Sequence, residues 1–172
     1  MAATARAVRT FLQDFYLTFY APRAVARKQL ARGVSEPGLL AMVGLASLLA
    51  FFIALPNLTS RYSDLDSGET SIQGFLGAFL VAYLLFGPLF LYGIAALARI
   101  CAHLFGGRGS WHSARLALFW ALLVMQPIVL LVRLVADNSP AVGVSAFLPP
   151  VSGVIFLTIW LMRMYAFEFE TR

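Results

Sequence analysis

Charge is scarce in this chain: 8 acidic and 13 basic residues among 172, 12% of the total, beside 60% hydrophobic residues. That leaves no room for a sizeable soluble catalytic module and predicts a single membrane-embedded domain. The one cysteine, Cys101, has no partner for an internal disulfide. With two histidines in all, the cluster Cys101, His103 and His112 lacks the paired CxxC, the HExxH or the carboxylates that metal ligation needs, so no metal or other cofactor is expected. The apolar runs show no period-2 alternation, which excludes a transmembrane β-barrel. No Asp, Glu, Lys or His falls in the middle of an apolar run, which weakens a transport pathway.

What the chain has is four apolar stretches, over about 38–56, 72–98, 114–134 and 142–168. Roughly 20 apolar residues rising about 1.5 Å each span a hydrocarbon core about 30 Å thick. Backbone polar groups in lipid must pair within the segment, which makes the spans helices. The expected fold is therefore all-α: a polytopic helical bundle of about four transmembrane helices in residues 37–172, preceded by an amphipathic, basic interfacial region in residues 1–36. Residues 1–37 carry charge and helical periodicity rather than a short apolar core, which predicts no cleavable signal peptide.

Eleven of the thirteen basic residues fall in three places: the amino-terminal region, the second connector with its flanks, and the tail. Basic loops stay cytoplasmic, so both termini and the second connector are expected inside a bacterial inner membrane. The first connector, with Arg61, Asp64, Asp66 and Glu69, reads as an outer loop. Its alternate carboxylates lack the later Glu that a calcium loop requires.

Phe11, Phe15 and Phe19 recur at helical spacing with Val8 and Leu12, and Pro22 then starts a short helix bearing Arg23, Arg27, Lys28 and Arg32 that stops near Gly33. The pattern predicts a pair lying on the inner leaflet, rings in the acyl boundary and cations facing anionic phospholipids. In the second span, Gly74, Ala78 and Ala82 are four apart, a face on which a neighbouring helix can approach closely. Another span of the same chain is the first expected partner, and a second copy or another integral membrane protein uses the same physics. Gly87-Pro88 predicts a kink. Gln126-Pro127 puts a polar side chain in mid-span, expected to bond backbone exposed by the proline. Pro149-Pro150 suggests that the last membrane helix starts there, with Arg163 snorkelling to the headgroups and Trp160 and Tyr165 in the aromatic belt.

The turn Gly106-Gly107-Arg108-Gly109-Ser110 lacks the strand and the Lys of a nucleotide loop. It reads as a tight reversal with Ser110 capping the next helix. No nucleic-acid partner is expected.

That turn, continued by Trp111-His112-Ser113-Ala114-Arg115 and a helix with Gln126-Pro127, resembles the Gly-Gly-x-Gly-Ser turn and proline-bearing helix of the Yip (Ypt-interacting protein) family. Tyr20-Ala21-Pro22-Arg23 is similar to the short segment that precedes the spans in bacterial members. The resemblance implies an integral membrane protein without catalytic residues. Eukaryotic relatives associate with prenylated small GTPases in vesicle trafficking. The family commonly shows five spans where this chain shows four, and the acidic motifs of the GTPase-linked members are missing, so that activity is not carried over. The function expected is non-enzymatic: a scaffold, assembly factor or accessory subunit of a membrane complex. The competing class is a small oligomeric transporter or channel.

Overall fold

The computed structural model describes residues 2–64, 71–138 and 142–170, with side chains over 9–63, 71–138 and 146–170. Asp66, Glu69 and Arg172 lie outside the described residues, as do the side chains of Val8 and Asp64. Described residues form helices and turns, without a strand. The helices are α1 (Ala2–Tyr20), α2 (Pro22–Arg32), α3 (Glu36–Asp64), α4 (Ile72–Val81), α5 (Gly87–Leu104), α6 (Trp111–Asn138) and α7 (Val142–Phe169). A π-helical turn, Ala82–Phe86, joins α4 to α5.

Four helical segments are long and apolar enough to cross a bilayer: Glu36–Ser63, Ile72–Leu104, Trp111–Asn138 and Ala146–Phe169. This is a multi-pass, all-α membrane protein. At 1.5 Å per residue the second reaches about 50 Å, well past a hydrocarbon core of about 30 Å, and such excess is absorbed by tilt. Its proline is accommodated by the π turn. Pro88 has no N–H for the carbonyl four residues back, and the wider turn just before it spreads that defect, with Gly87 donating to the carbonyl of Ala82.

The other prolines also stay inside helices. α7 runs unbroken through Pro149 and Pro150 from Val142, so the helix starts seven residues before the double proline rather than at it. The two lost hydrogen bonds fall in its first turns, and the Ser152 hydroxyl donates to the carbonyl of Pro149 at 2.7 Å.

α6 is the central helix, packed against α7, α3 and α5. Its residues Leu116, Ala117, Phe119, Ala121 and Val124 are buried. α2 lies across the end of α7, and α1 packs on α2. Pro22 starts α2 after the break at Ala21, and Gly33 ends it, where φ is +66° and the Gly33 N–H closes on the carbonyl of Leu30. One end of the bundle therefore gathers α1, α2, the turn between α5 and α6, and the end of α7. It is called the basic end below.

Candidate functional site

The basic end is held together by buried charge. On α1 the side chains turned inward are polar: Asp14 and Thr18 are both buried. The Thr18 hydroxyl donates to the carbonyl of Asp14 at 2.6 Å and accepts from Trp120 Nε1 at 2.9 Å. The Asp14 carboxylate takes Lys28 at 2.8 Å and Arg32 at 2.6 Å. Beneath them Arg163 is fully buried. Its Nη2 donates to Gln29 Oε1 at 2.6 Å, and its guanidinium stands over the rings of Trp120 at 5.8 Å and Phe167 at 5.7 Å. Its Nε and Nη1 make no hydrogen bond among the described residues. Snorkelling of Arg163 is thus corrected: α2 covers it, and Gln29 and the aromatic faces take the place of headgroups.

The second buried charge is Glu168, which organises the glycine turn. Its Oε2 accepts from Arg99 at 3.0 Å and from the Gly109 N–H at 2.8 Å, and its carbonyl accepts from the Arg108 N–H at 2.9 Å. A Cβ on Gly109 would sit 2.6 Å from the Glu168 carboxyl, and one on Gly107 would sit 2.7 Å from it and 2.8 Å from the Ala102 carbonyl. Gly106 has a φ of +83°. Each glycine therefore has its own reason: Gly106 for backbone conformation, the other two for close approach. Ser110 precedes α6 and exchanges hydrogen bonds with Ser113, its Oγ accepting from the Ser113 N–H at 3.0 Å and its N–H donating to the Ser113 hydroxyl at 2.9 Å.

The three phenylalanines of α1 flank its polar inward face. Phe11 meets Trp120 edge-on at 5.3 Å, and Phe19 packs with Ala121, Met125 and Ile159. Phe15 is half-buried between Tyr16 and Phe19. The exposed arc carries Leu12, Tyr16, Leu17 and Tyr20 instead, Tyr20 being 88% exposed. The inward polar side chains of α1 thus have protein partners, while much of its apolar surface stays open.

Of the four cations on α2, Arg23 and Arg27 pair with Glu170 at 3.1 and 3.2 Å, with Arg23 also over the Tyr165 ring at 4.8 Å. Lys28 and Arg32 pair with Asp14, as above. Two carboxylates thus serve four partly exposed cations. Among the described residues Glu36 also pairs with Arg115, in a bidentate contact at 2.6 and 3.0 Å.

Gly74 and Ala78 face outward, uncovered by another helix, and Ala82 is half-buried at the start of the π turn. The expectation of an intrachain partner for this face is not met at Gly74 and Ala78. Gln126 is buried, and its Nε2 donates to the carbonyl of Leu122 at 3.3 Å. The carbonyl that Pro127 deprives of its amide is that of Leu123. Among the described residues no three of His, Cys, Asp and Glu converge as metal ligands.

Asp14, Thr18, Gln29, Arg99, Trp120, Arg163 and Glu168 are the residues that sequence reasoning passed over as site members. A signal existed for two of them: Asp14 and Thr18 share one face, four apart, with Phe, Tyr or Leu at each of the other positions from 15 to 20.

No protein-family model, no curated protein and no solved structure matches the chain.

Proposed function

We propose that this protein is a non-enzymatic binding component of a bacterial inner membrane, with its basic end in the cytoplasm. It serves another integral membrane protein as scaffold, assembly factor or accessory subunit. The observation that carries this reading is the second span: in its most apolar stretch no residue is buried by the rest of the chain, whereas the corresponding stretch of α6 is 44% buried. The span is held to α6 through α5, while Gly74 and Ala78 stay open on α4 and Leu85, Phe86 and Leu89 stay open beyond it. Small residues on an open face let a foreign helix come close enough for backbone van der Waals contact, the main attraction available between helices in lipid.

The cytoplasmic placement of the basic end rests on the arginine distribution. Anionic phospholipid is the lipid that suits α2, where cations outnumber carboxylates two to one and stay partly exposed. The resemblance of the glycine turn to the Yip family supports a binding role, since that family has no catalytic residues.

The test is affinity purification in mild detergent combined with disulfide or maleimide crosslinking from a cysteine placed at Ala78 in a Cys101→Ser background. A stoichiometric membrane subunit that crosslinks from Ala78 and not from Val154 on α7 is the expected result. Recovery of the protein alone, with no crosslink from Ala78, overturns the reading.

A further inference from the structure

At the middle of the bundle, α3, the π turn, α5 and α6 border an open cleft of about 220 Å³ lined by Ser47, Tyr83 and Gln126 among apolar side chains. A second cavity, about 260 Å³ and bounded by Leu49, Phe52, Ile53, Pro127 and Leu130, flanks the same Gln126. Each is a little smaller than typical ligand pockets of about 300–1,000 Å³, and Gln126 lines both. Ser47 and Gln126 each lie eleven residues along their helices from Glu36 and Arg115, which are joined at 2.6 Å. That is about 16 Å deeper than this ion pair, or half of a hydrocarbon core about 30 Å thick.

The polar groups here are unspent. Thr59, Ser60, Ser63, Ser152 and Thr158 each donate their hydroxyl to a carbonyl three or four residues back in their own helix, the ordinary way for a helical hydroxyl to avoid an unpaired donor in an apolar medium. Ser47 does not. It is 6% exposed, its Oγ has no hydrogen-bond partner among the described residues, and it faces the close approach of α3 to Gly87. Gln126 is 8% exposed and spends one N–H on Leu122, leaving its second N–H and its Oε1. The Tyr83 hydroxyl is likewise without a hydrogen-bond partner among the described residues. Ser47 and Gln126, each more than nine-tenths buried, and the half-buried Tyr83 thus line one space with hydrogen-bonding capacity to spare. The π turn that carries Tyr83 is the kind of local distortion frequently retained at functional sites.

We propose that this cavity binds a neutral, membrane-soluble ring bearing carbonyl acceptors, of the benzoquinone class. Three free donors call for an occupant that presents acceptors. The absence of Asp, Glu, Lys, Arg and His from the lining calls for a neutral one. The depth selects a molecule that dwells in the hydrocarbon, which the ester carbonyls of phospholipids, held at the headgroup boundary, do not. Phe90 and Tyr83 supply aromatic faces for a flat ring.

The test uses the full chain in lipid nanodiscs with a photoreactive azido derivative of decyl-benzoquinone, unlabelled decyl-benzoquinone as competitor, and peptide mapping by mass spectrometry. Saturable labelling is expected at residues that line the two spaces, within 46–53 and 122–130 and at Tyr83, Gly87 and Leu91. Ser47→Ala and Tyr83→Phe each remove one oxygen, and each is expected to weaken competition roughly three- to tenfold, the effect of one lost hydrogen bond. Thr59→Ala leaves it unchanged. Gln126→Leu is expected to abolish saturable labelling, and the two single-oxygen variants keep the result interpretable if that variant fails to fold. Label spread unsaturably over the outward residues Leu85, Phe86 and Leu89, or competition unaffected by Ser47→Ala and Tyr83→Phe, overturns the proposal and leaves water as the occupant.

Discussion

Gln29 and Arg163, 134 positions apart in the chain, meet in a 2.6 Å hydrogen bond with no solvent access to the guanidinium. This bond clamps α2 onto α7, and it is the one hydrogen bond that the Arg163 side chain makes among the described residues. The rings of Trp120 and Phe167 also face the guanidinium.

Gln29→Leu is therefore expected to destabilise the protein by about 2 kcal/mol, because it strands a buried cation. Arg163→Met removes the charge together with its need for partners and is expected to cost less. Thermal unfolding of both variants in one detergent, followed by circular dichroism, checks the order. Equal or reversed losses contradict the clamp.

Gly109→Ala drives a methyl group into the Glu168 carboxyl and is expected to cost about 1–3 kcal/mol. In a Glu168→Ala background the same change meets no carboxyl and is expected to cost less than half as much. The double-mutant cycle thus returns a coupling of at least about 0.5–1.5 kcal/mol. Strict additivity would separate the turn from Glu168.

On α1 the outward arc and the inward arc differ sharply. Spin labels at Tyr16 and Tyr20 in a Cys101→Ser background are expected to report high access to oxygen dissolved in lipid, and a label at Phe19 low access. Asp14→Ala removes the carboxylate that Lys28 and Arg32 share and is expected to raise amide exchange across residues 9–32 at least severalfold, read by mass spectrometry. Unchanged exchange contradicts a docking role for Asp14.

The four spans were legible because a bilayer demands long apolar helices, and hydropathy reports that demand directly. Which face of each span meets protein was not legible. Lipid and core are equally apolar, so hydrophobic side chains such as Leu85 and Leu116 look alike in sequence although the first is open and the second fully buried. The same physics explains α1, where the Phe11, Phe15, Phe19 stripe marks the rim of the docked face and the polar pair Asp14 and Thr18 marks its centre. The glycine turn was legible as a reversal. Its dependence on Glu168 was not, since 59 residues separate Gly109 from the carboxylate that it wraps. Arg163 read as a headgroup anchor because nothing local in its sequence indicates that α2 returns to cover it.

The account rests most of all on a bundle crossed four times with its basic end inside. A membrane-impermeant maleimide applied to intact cells tests this directly, with single cysteines at Ser63 and Asp137 at one end and at Gly33 and Arg108 at the other, each in a Cys101→Ser background. The expected result is labelling of Ser63 and Asp137 positions in intact cells, and of Gly33 and Arg108 positions only after the membrane is opened. Labelling of Gly33 and Arg108 in intact cells, or of one member of either pair without the other, contradicts it.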